Sequence, residues 1–318
     1  MTEATTKRKL PRAQDAEPSG AFHSLLVPVD LTAGSDRVLG RVSRLPLADG
    51  ARVSLLHVVP GTLSASEQRR ARRDAGKALA EEVRQLRGQI SKAISVEPLV
   101  TVGAAAKEIA ARATEMQADL VVMGRGGGRA LRDVFLGSTA ERVIRQAQVP
   151  VLVVRLAARR AYSRPALALD LDQAAVEIVR VMLLVLPPPR PQVEVIHAFD
   201  APYRGMIYAS FTEEEAEEAK HELRGVAAQE LAKLLATSLA AAGVRPEWAP
   251  FWKTHLQYGS ARLVVEKAVK KAETDLLVLG THGYSGAAYV LLGTVAGDLL
   301  RAAKCDVLMV PPPLQTRH

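Results

Sequence analysis

The sequence runs through one long pattern twice. "ADLVVMGRGG" at residues 118 to 127 returns as "TDLLVLGTHG" at 274 to 283, and "VFLGSTAERVIR" at 134 to 145 returns as "VLLGTVAGDLLR" at 290 to 301. Gly124 and Gly280 stand 156 positions apart, as do Gly137 and Gly293, so the register holds across the whole stretch. Further upstream "VPVDLT" at 27 to 32 matches "LALDLD" at 167 to 172, and His57 matches His197, both at an offset of 140. Self-similarity over such a length means that both halves must solve the same folding problem in the same way. The change of offset from 140 to 156 leaves 16 additional residues in the second half, after His197 and before Gly259. The segment "APYRGMIYASFTEEEAEEAK" at 201 to 220 is the expected place for them, a loop leading into an acidic helix start.

Within each half, short apolar runs alternate with stretches of helical period. In the first half strands are expected near 24 to 29, 52 to 59, 96 to 102, 119 to 123 and 150 to 154, with helices over 34 to 45, 66 to 92, 105 to 117 and 137 to 147. Strands apolar almost throughout belong to a parallel sheet covered by helices on both faces. The expected architecture is therefore α/β, two tandem doubly wound domains. A length of 318 residues, 48% of them hydrophobic, is enough for two cores of ordinary size. The expected boundaries are a disordered polar tail over 1 to 20, a first domain over 21 to 157, a linker over 158 to 164 and a second domain over 165 to 314.

The glycines mark where function would sit. In an open α/β sheet ligands bind beyond the carboxyl ends of the strands, and the strand ending at Gly124 delivers its loop to that edge. The loop then reaches Gly137, Ser138 and a helix, so backbone N–H groups and a helix N-terminus can converge on an anion. Gly124 and Gly127 are expected to supply positive φ and close approach, and Ser138 a hydroxyl. No stretch reads G-x-x-x-x-G-K-[ST], so this is not the P-loop cradle.

The spacing Gly124, two residues, Gly127, nine residues, Gly137-Ser138 recurs as Gly280, two residues, Gly283, nine residues, Gly293-Thr294. Here the sequence resembles the universal stress protein family, whose nucleotide-binding members carry G-x2-G-x9-G-[ST]. The resemblance covers roughly residues 22 to 157 and 164 to 313, in the manner of a tandem member. It implies a five-stranded parallel sheet of order 3-2-1-4-5 in each half, a stress-response role, and ATP, with Mg²⁺, bound between the first and fourth strands; other members bind none. By the same resemblance Asp30, with Pro28, Val29 and Thr32 around it, would lie beside ribose and phosphates, and the Val58 backbone would read the adenine edge. Met123, Gly124, Arg125, Gly127, Gly137, Ser138 and Thr139 would surround the ribose and phosphates. Asp170, Ala198, Gly280, Gly283, Gly293 and Thr294 match them in the second half. Asp30 and Thr32 are equally well read as helix caps.

The halves differ in charge. Arg125, Arg129 and Arg132 oppose one Asp133 between Gly124 and Gly137, whereas no Lys, Arg, Asp or Glu lies between Gly280 and Gly293. Asp172 stands where the first half has Thr32, adding a like charge near Asp170. The first half is therefore expected to be the primary site.

The remaining features narrow the function classes. A net charge of +8 favours anions in general, but only 4% of residues are aromatic, few platforms for stacking bases, and Arg69, Arg70, Arg72 and Arg73 read as a solvated helix face. A single cysteine, Cys305, excludes an internal disulfide framework and fits a reducing compartment, so a cytoplasmic protein with no membrane span is expected. His57 and His197 end apolar strands with no partner legible, and read as packed structural residues. No nucleophile–base pair or metal-ligand cluster is recognisable. The expected function is an ATP-binding switch acting on a protein partner. The alternatives are a nucleotide-free interaction module and a slow ATP hydrolase. The halves are expected to pair as an internal pseudo-dimer, and whether chains pair further as a homodimer is left open by the sequence.

Overall fold

The structure, a computed structural model, describes residues 20–32, 34–126, 137–199, 212–281 and 292–313. The first half runs β1 (Phe22–Pro28), α1 (Ser35–Val42), β2 (Leu47–Pro60), α2 (Ala65–Arg87), β3 (Ser95–Gly103), α3 (Ala105–Glu115), β4 (Leu120–Gly124), α4 (Ser138–Gln146) and β5 (Val151–Val154). The second repeats it with β6 (Pro165–Ala168), α5 (Ala174–Val185), β7 (Val193–Phe199), α6 (Glu213–Ala241), β8 (Trp252–Tyr258), α7 (Ala261–Lys271), β9 (Leu276–Gly280), α8 (Thr294–Ala302) and β10 (Asp306–Val310).

Each central strand is apolar on both sides because helices cover both sides. Leu25 and Val27 of β1 pack with Leu39 of α1 and Leu79 of α2, while Leu26 of the same strand belongs with Ile109 of α3 and Ile144 of α4. Alternation along β1 thus feeds two separate cores. The second half divides likewise, α5 and α6 on the first face and α7 and α8 on the other.

Within each half the strand order is the expected 3-2-1-4-5, all parallel. What the sequence did not suggest is that the two sheets are one. β10 pairs antiparallel with β5, Val307 opposite Val153 and Leu308 opposite Leu152, giving ten strands in the order β3-β2-β1-β4-β5-β10-β9-β6-β7-β8. The halves thereby meet with a pseudo-two-fold relation, so the carboxyl edge of the first half is continuous with the amino edge of the second.

A buried polar clasp fastens this seam. Asp306, fully buried, accepts from the Arg155 and Leu156 backbone N–H groups at 2.7 and 2.8 Å and from the Tyr162 hydroxyl at 2.7 Å. Arg41 of α1 lies 3.2 Å from the same carboxylate, stacks 3.7 Å over the Tyr162 ring and donates to the Arg160 carbonyl. Burial and the Asp306 charge push the Tyr162 hydroxyl well above its ordinary pKa, so it remains a donor.

The additional residues of the second half are more dispersed than expected. The offset between halves is 148 at the starts of α2 and α6, Ala65 and Glu213, and 154 at their ends, Arg87 and Ala241. Of the 16 additional residues, 8 therefore precede α6 and 6 lengthen α6 itself. Residues 201–211 of the expected insertion, and residues 1–19 of the expected tail, lie outside the described residues. Among the described residues no helix is long and apolar enough to cross a membrane.

Candidate functional site

The expected ligand edge lies at the carboxyl ends of β1 and β4, which are neighbours in the sheet. Val29 closes β1 by donating its N–H to the Leu56 carbonyl at 2.9 Å, and the His57 ring Nδ1 lies 3.0 Å from the Val29 carbonyl. The second half repeats both contacts, Leu169 N–H to Ile196 and His197 Nδ1 at 2.9 Å from the Leu169 carbonyl. The two histidines thus have a partner after all. Each ring ties the turn after the first strand to the second strand, a structural duty that fits their place at strand ends.

The turn that follows is specific to the first half. Asp30 accepts from the Thr32 backbone N–H at 3.2 Å and from its hydroxyl at 2.7 Å, and the Thr32 oxygen accepts from the Gly34 N–H at 3.2 Å. Between them Leu31 is held at φ +57°, a conformation a leucine rarely adopts. Backbone strain of this kind concentrates where surrounding structure must place a loop accurately. Sequence inspection missed Leu31 because nothing in its side chain signals a left-handed backbone.

The β4 side is shaped by glycine, though Gly124 does not supply the expected positive φ. Gly124 is the extended last residue of β4; Gly126 takes the positive φ, +67°. The Gly137 N–H then closes the loop on the Arg125 carbonyl at 2.8 Å. A Cβ on Gly137 would stand 2.8 Å from the Gly126 carbonyl carbon and 3.0 Å from the Arg125 oxygen, so only glycine fits. In the second half Gly293 donates to the Thr281 carbonyl at 2.9 Å, the same closure with Thr281 where Arg125 stands. Gly127 and Gly283, with Arg129, Arg132 and Asp133, lie outside the described residues.

Gly137 and Gly293 are the N-caps of α4 and α8, and neither offers a side-chain cap. The first backbone N–H groups of both helices therefore have no capping side chain, which is the arrangement that accepts an anion. Ser138 and Thr294 are exposed first residues of these helices, and Thr139 is half-buried in the first turn of α4. Pro28 and Met123 are buried in the strand ends, so they form the floor of this edge, whereas Val58 and Ala198 are half-buried at the ends of β2 and β7.

Electrostatics separate the halves. Asp172 accepts from the Ala175 N–H at 3.2 Å and so caps α5, leaving its charge beside Asp170. Desolvation first, and the Asp172 charge second, raise the Asp170 carboxyl above its ordinary pKa, with His197 partly offsetting them. On the first-half edge Arg125 is near enough to Arg155 to add to the burial that lowers the latter's pKa. Among the described residues no group of three or more His, Cys, Asp or Glu side chains is placed to hold a metal ion.

Comparison with known proteins agrees with this repeat architecture. The sequence profile described as "Universal stress protein family" matches residues 21–155 and again 164–311. A universal stress protein of Mycolicibacterium smegmatis is 26% identical over 328 residues, covering 92% of this chain and 99% of that protein. Universal stress protein G of Escherichia coli O157:H7 is 33% identical over 144 residues, 42% of this chain and 99% of its own length. A local match to a universal stress protein of Methanocaldococcus jannaschii reaches 51% over 53 residues but spans only 31% of that protein. The crystal structure of a universal stress protein from Archaeoglobus fulgidus superposes with a TM-score of 0.64 at 16% identity, over 91% of this chain and 98% of that one, a likeness of fold. With the family profile matched in both halves and the doubly wound fold repeated in each, this chain belongs to the universal stress protein family.

Proposed function

We propose that the first half binds an adenine nucleotide, ATP with Mg²⁺, at the carboxyl edge between β1 and β4, and that occupancy switches the surface offered to a protein partner in a stress response. The observation that carries this reading is the α4 N-terminus, capped by a glycine with no side chain to satisfy its N–H groups and held against Gly126 where a Cβ would collide. That cradle suits a polyphosphate, whose oxygens would take the place of the absent cap. Asp30 and Thr32, already in one hydrogen-bonded turn, would face the ribose and phosphates, and Arg125 would add positive charge. ATP would supply a polyanion whose presence or absence distinguishes two states, and a switch needs only about 1.4 kcal/mol of differential affinity to change their ratio tenfold. The second half is the weaker site, because phosphates would approach Asp170 with Asp172 beside it.

The test is to equilibrate the chain with Mg-ATP, denature it, and chromatograph the nucleotide released per chain. Wild type is expected to retain nucleotide, Ser138→Asp to lose most of it and Thr294→Asp to keep it. Loss in Thr294→Asp alone would move the site to the second half. An empty wild type would favour the nucleotide-free interaction reading.

A further inference from the structure

The equivalent helices α2 and α6 begin alike and then part in charge. Each opens on a capping box, Ser64 with Glu67 and Thr212 with Glu215, which fixes their common register at an offset of 148. Over the first 13 residues of α2, 65 to 77, five cations stand against two anions, whereas over the first 13 of α6, 213 to 225, six glutamates stand against two cations. At the common register Arg69 and Arg70 fall on Glu217 and Glu218.

Most of the minority charges are engaged within their own helix. Arg70 takes Asp74 at 3.9 Å and the Ser64 cap takes Glu67; Lys220 takes Glu217 at 2.6 Å. What remains is one row of like charges on each helix, Arg69, Arg73 and Lys77 on α2 and Glu214, Glu218 and Glu222 on α6. All six are exposed and have no ion-pair or hydrogen-bond partner among the described residues. Both rows step by four residues, about 6 Å along the axis. Arg73 and Lys77 stand two positions before the buried Ala75 and Leu79, and Glu218 and Glu222 nine positions before the buried Ala227 and Leu231. These separations turn both rows roughly 180–200° from the core side of their helices. Arg224, the other cation of α6, is turned about 120° from Glu218. Like charges four residues apart repel each other, a cost that a row of opposite sign relieves.

The two rows cannot meet within one chain. α2 lies over β2 and β3 and α6 over β7 and β8, on the same face of the sheet, with six strands between β2 and β7. At about 4.8 Å per strand the separation is on the order of 30 Å, beyond the reach of paired side chains. A second copy turned about a two-fold axis that exchanges the halves brings its α2 onto α6 and its α6 onto α2, so the contact is made twice and closes. Complementarity of charge selects this occupant, because an anionic polymer would match α2 and leave α6 unmatched.

We propose that the chain forms a reversible two-fold dimer in which Arg69, Arg73 and Lys77 of each copy face Glu214, Glu218 and Glu222 of the other. The test is sedimentation velocity of the full chain up to about 200 µM, in about 50 mM and about 500 mM salt, since contacts between exposed charges are screened. A monomer–dimer equilibrium is expected, at least tenfold weaker in the higher salt. Arg69→Glu with Arg73→Glu and Lys77→Glu should leave a monomer, as should Glu214→Lys with Glu218→Lys and Glu222→Lys. Mixing these two triple variants should restore a one-to-one dimer, because each then offers only one sign and the partner the other. The chain carrying all six substitutions should pair with itself, an independent arm if either triple variant fails to fold, which circular dichroism checks. A wild type that is monomeric throughout, a dimer indifferent to salt or to both triple variants, growth past the dimer, or failure of both the mixture and the six-fold variant to pair would overturn the proposal. So would a monomeric wild type that binds a DNA duplex through α2.

Discussion

At the scale of the residue, most of the local chemistry follows from how closely two backbones approach. Gly137→Ala places a methyl against the Gly126 and Arg125 backbone, which cannot give way as a side-chain tip would. Its expected cost is roughly 1–3 kcal/mol of unfolding free energy, measured by urea denaturation. The demand for glycine at 137 was legible in the spacing, but which glycine of the run turns left-handed was not. Gly124 and Gly126 are chemically equal, and only the course of the backbone beyond β4 gives the left-handed turn to Gly126 instead of Gly124. Asp170 carries a second prediction. The folded state holds its proton more tightly than the unfolded chain, so its unfavourable contribution is absent below the ordinary aspartate range, grows as pH rises toward the raised native value, and is constant above it. Asp170→Asn should therefore raise the urea midpoint at neutral pH and leave it unchanged near about pH 3. Asp172→Thr, which restores the first half's residue, should move the Asp170 carboxyl resonance titration downward in carbon-detected NMR. The pair was legible as two acids two residues apart; the desolvation that dominates the shift depends on the fold.

At the scale of the element, the uncapped α4 should make the proposed nucleotide binding and the stability respond with opposite sign. An acidic side chain at the first helical position interacts favourably with the helix dipole, so Ser138→Asp should stabilise the nucleotide-free protein by about 0.3–1 kcal/mol. The same charge would repel phosphate, and its nucleotide affinity should fall at least tenfold in equilibrium dialysis. Unchanged affinity with raised stability would place the phosphates elsewhere. Elements were the most legible level, because buried parallel strands announce themselves as unbroken apolar runs such as "LVVMG" and "LLVLG". Helix lengths were less so. The acidic helix start was legible, and Thr212 and Glu215 form its capping box, but the continuation of the helix to Ala241, six residues longer than α2, was not. Capping boxes are visible in sequence, but the fate of 16 surplus residues is decided by the loops they can lengthen without touching the core.

At the scale of the whole molecule, the seam between β5 and β10 was illegible, since an edge strand and a paired strand of valines and leucines look alike. Asp306 was the one available clue, a carboxylate at the head of an apolar run. Removing it leaves Arg41 buried without its counter-charge. Asp306→Ala should therefore lower stability by roughly 3–5 kcal/mol, and Tyr162→Phe by about 1 kcal/mol, both by urea denaturation. The seam has a further consequence for how the molecule responds to dilution. Two halves joined by a covalent tether meet at a local concentration on the order of millimolar, set by the linker and not by how much protein a cell or a tube contains. An association between separate subunits is governed by mass action, but this one is not. In high salt its melting temperature should be the same at micromolar and at hundredfold higher concentration. A protein built this way keeps its architecture when it is scarce, so its abundance can vary widely without changing what each copy is.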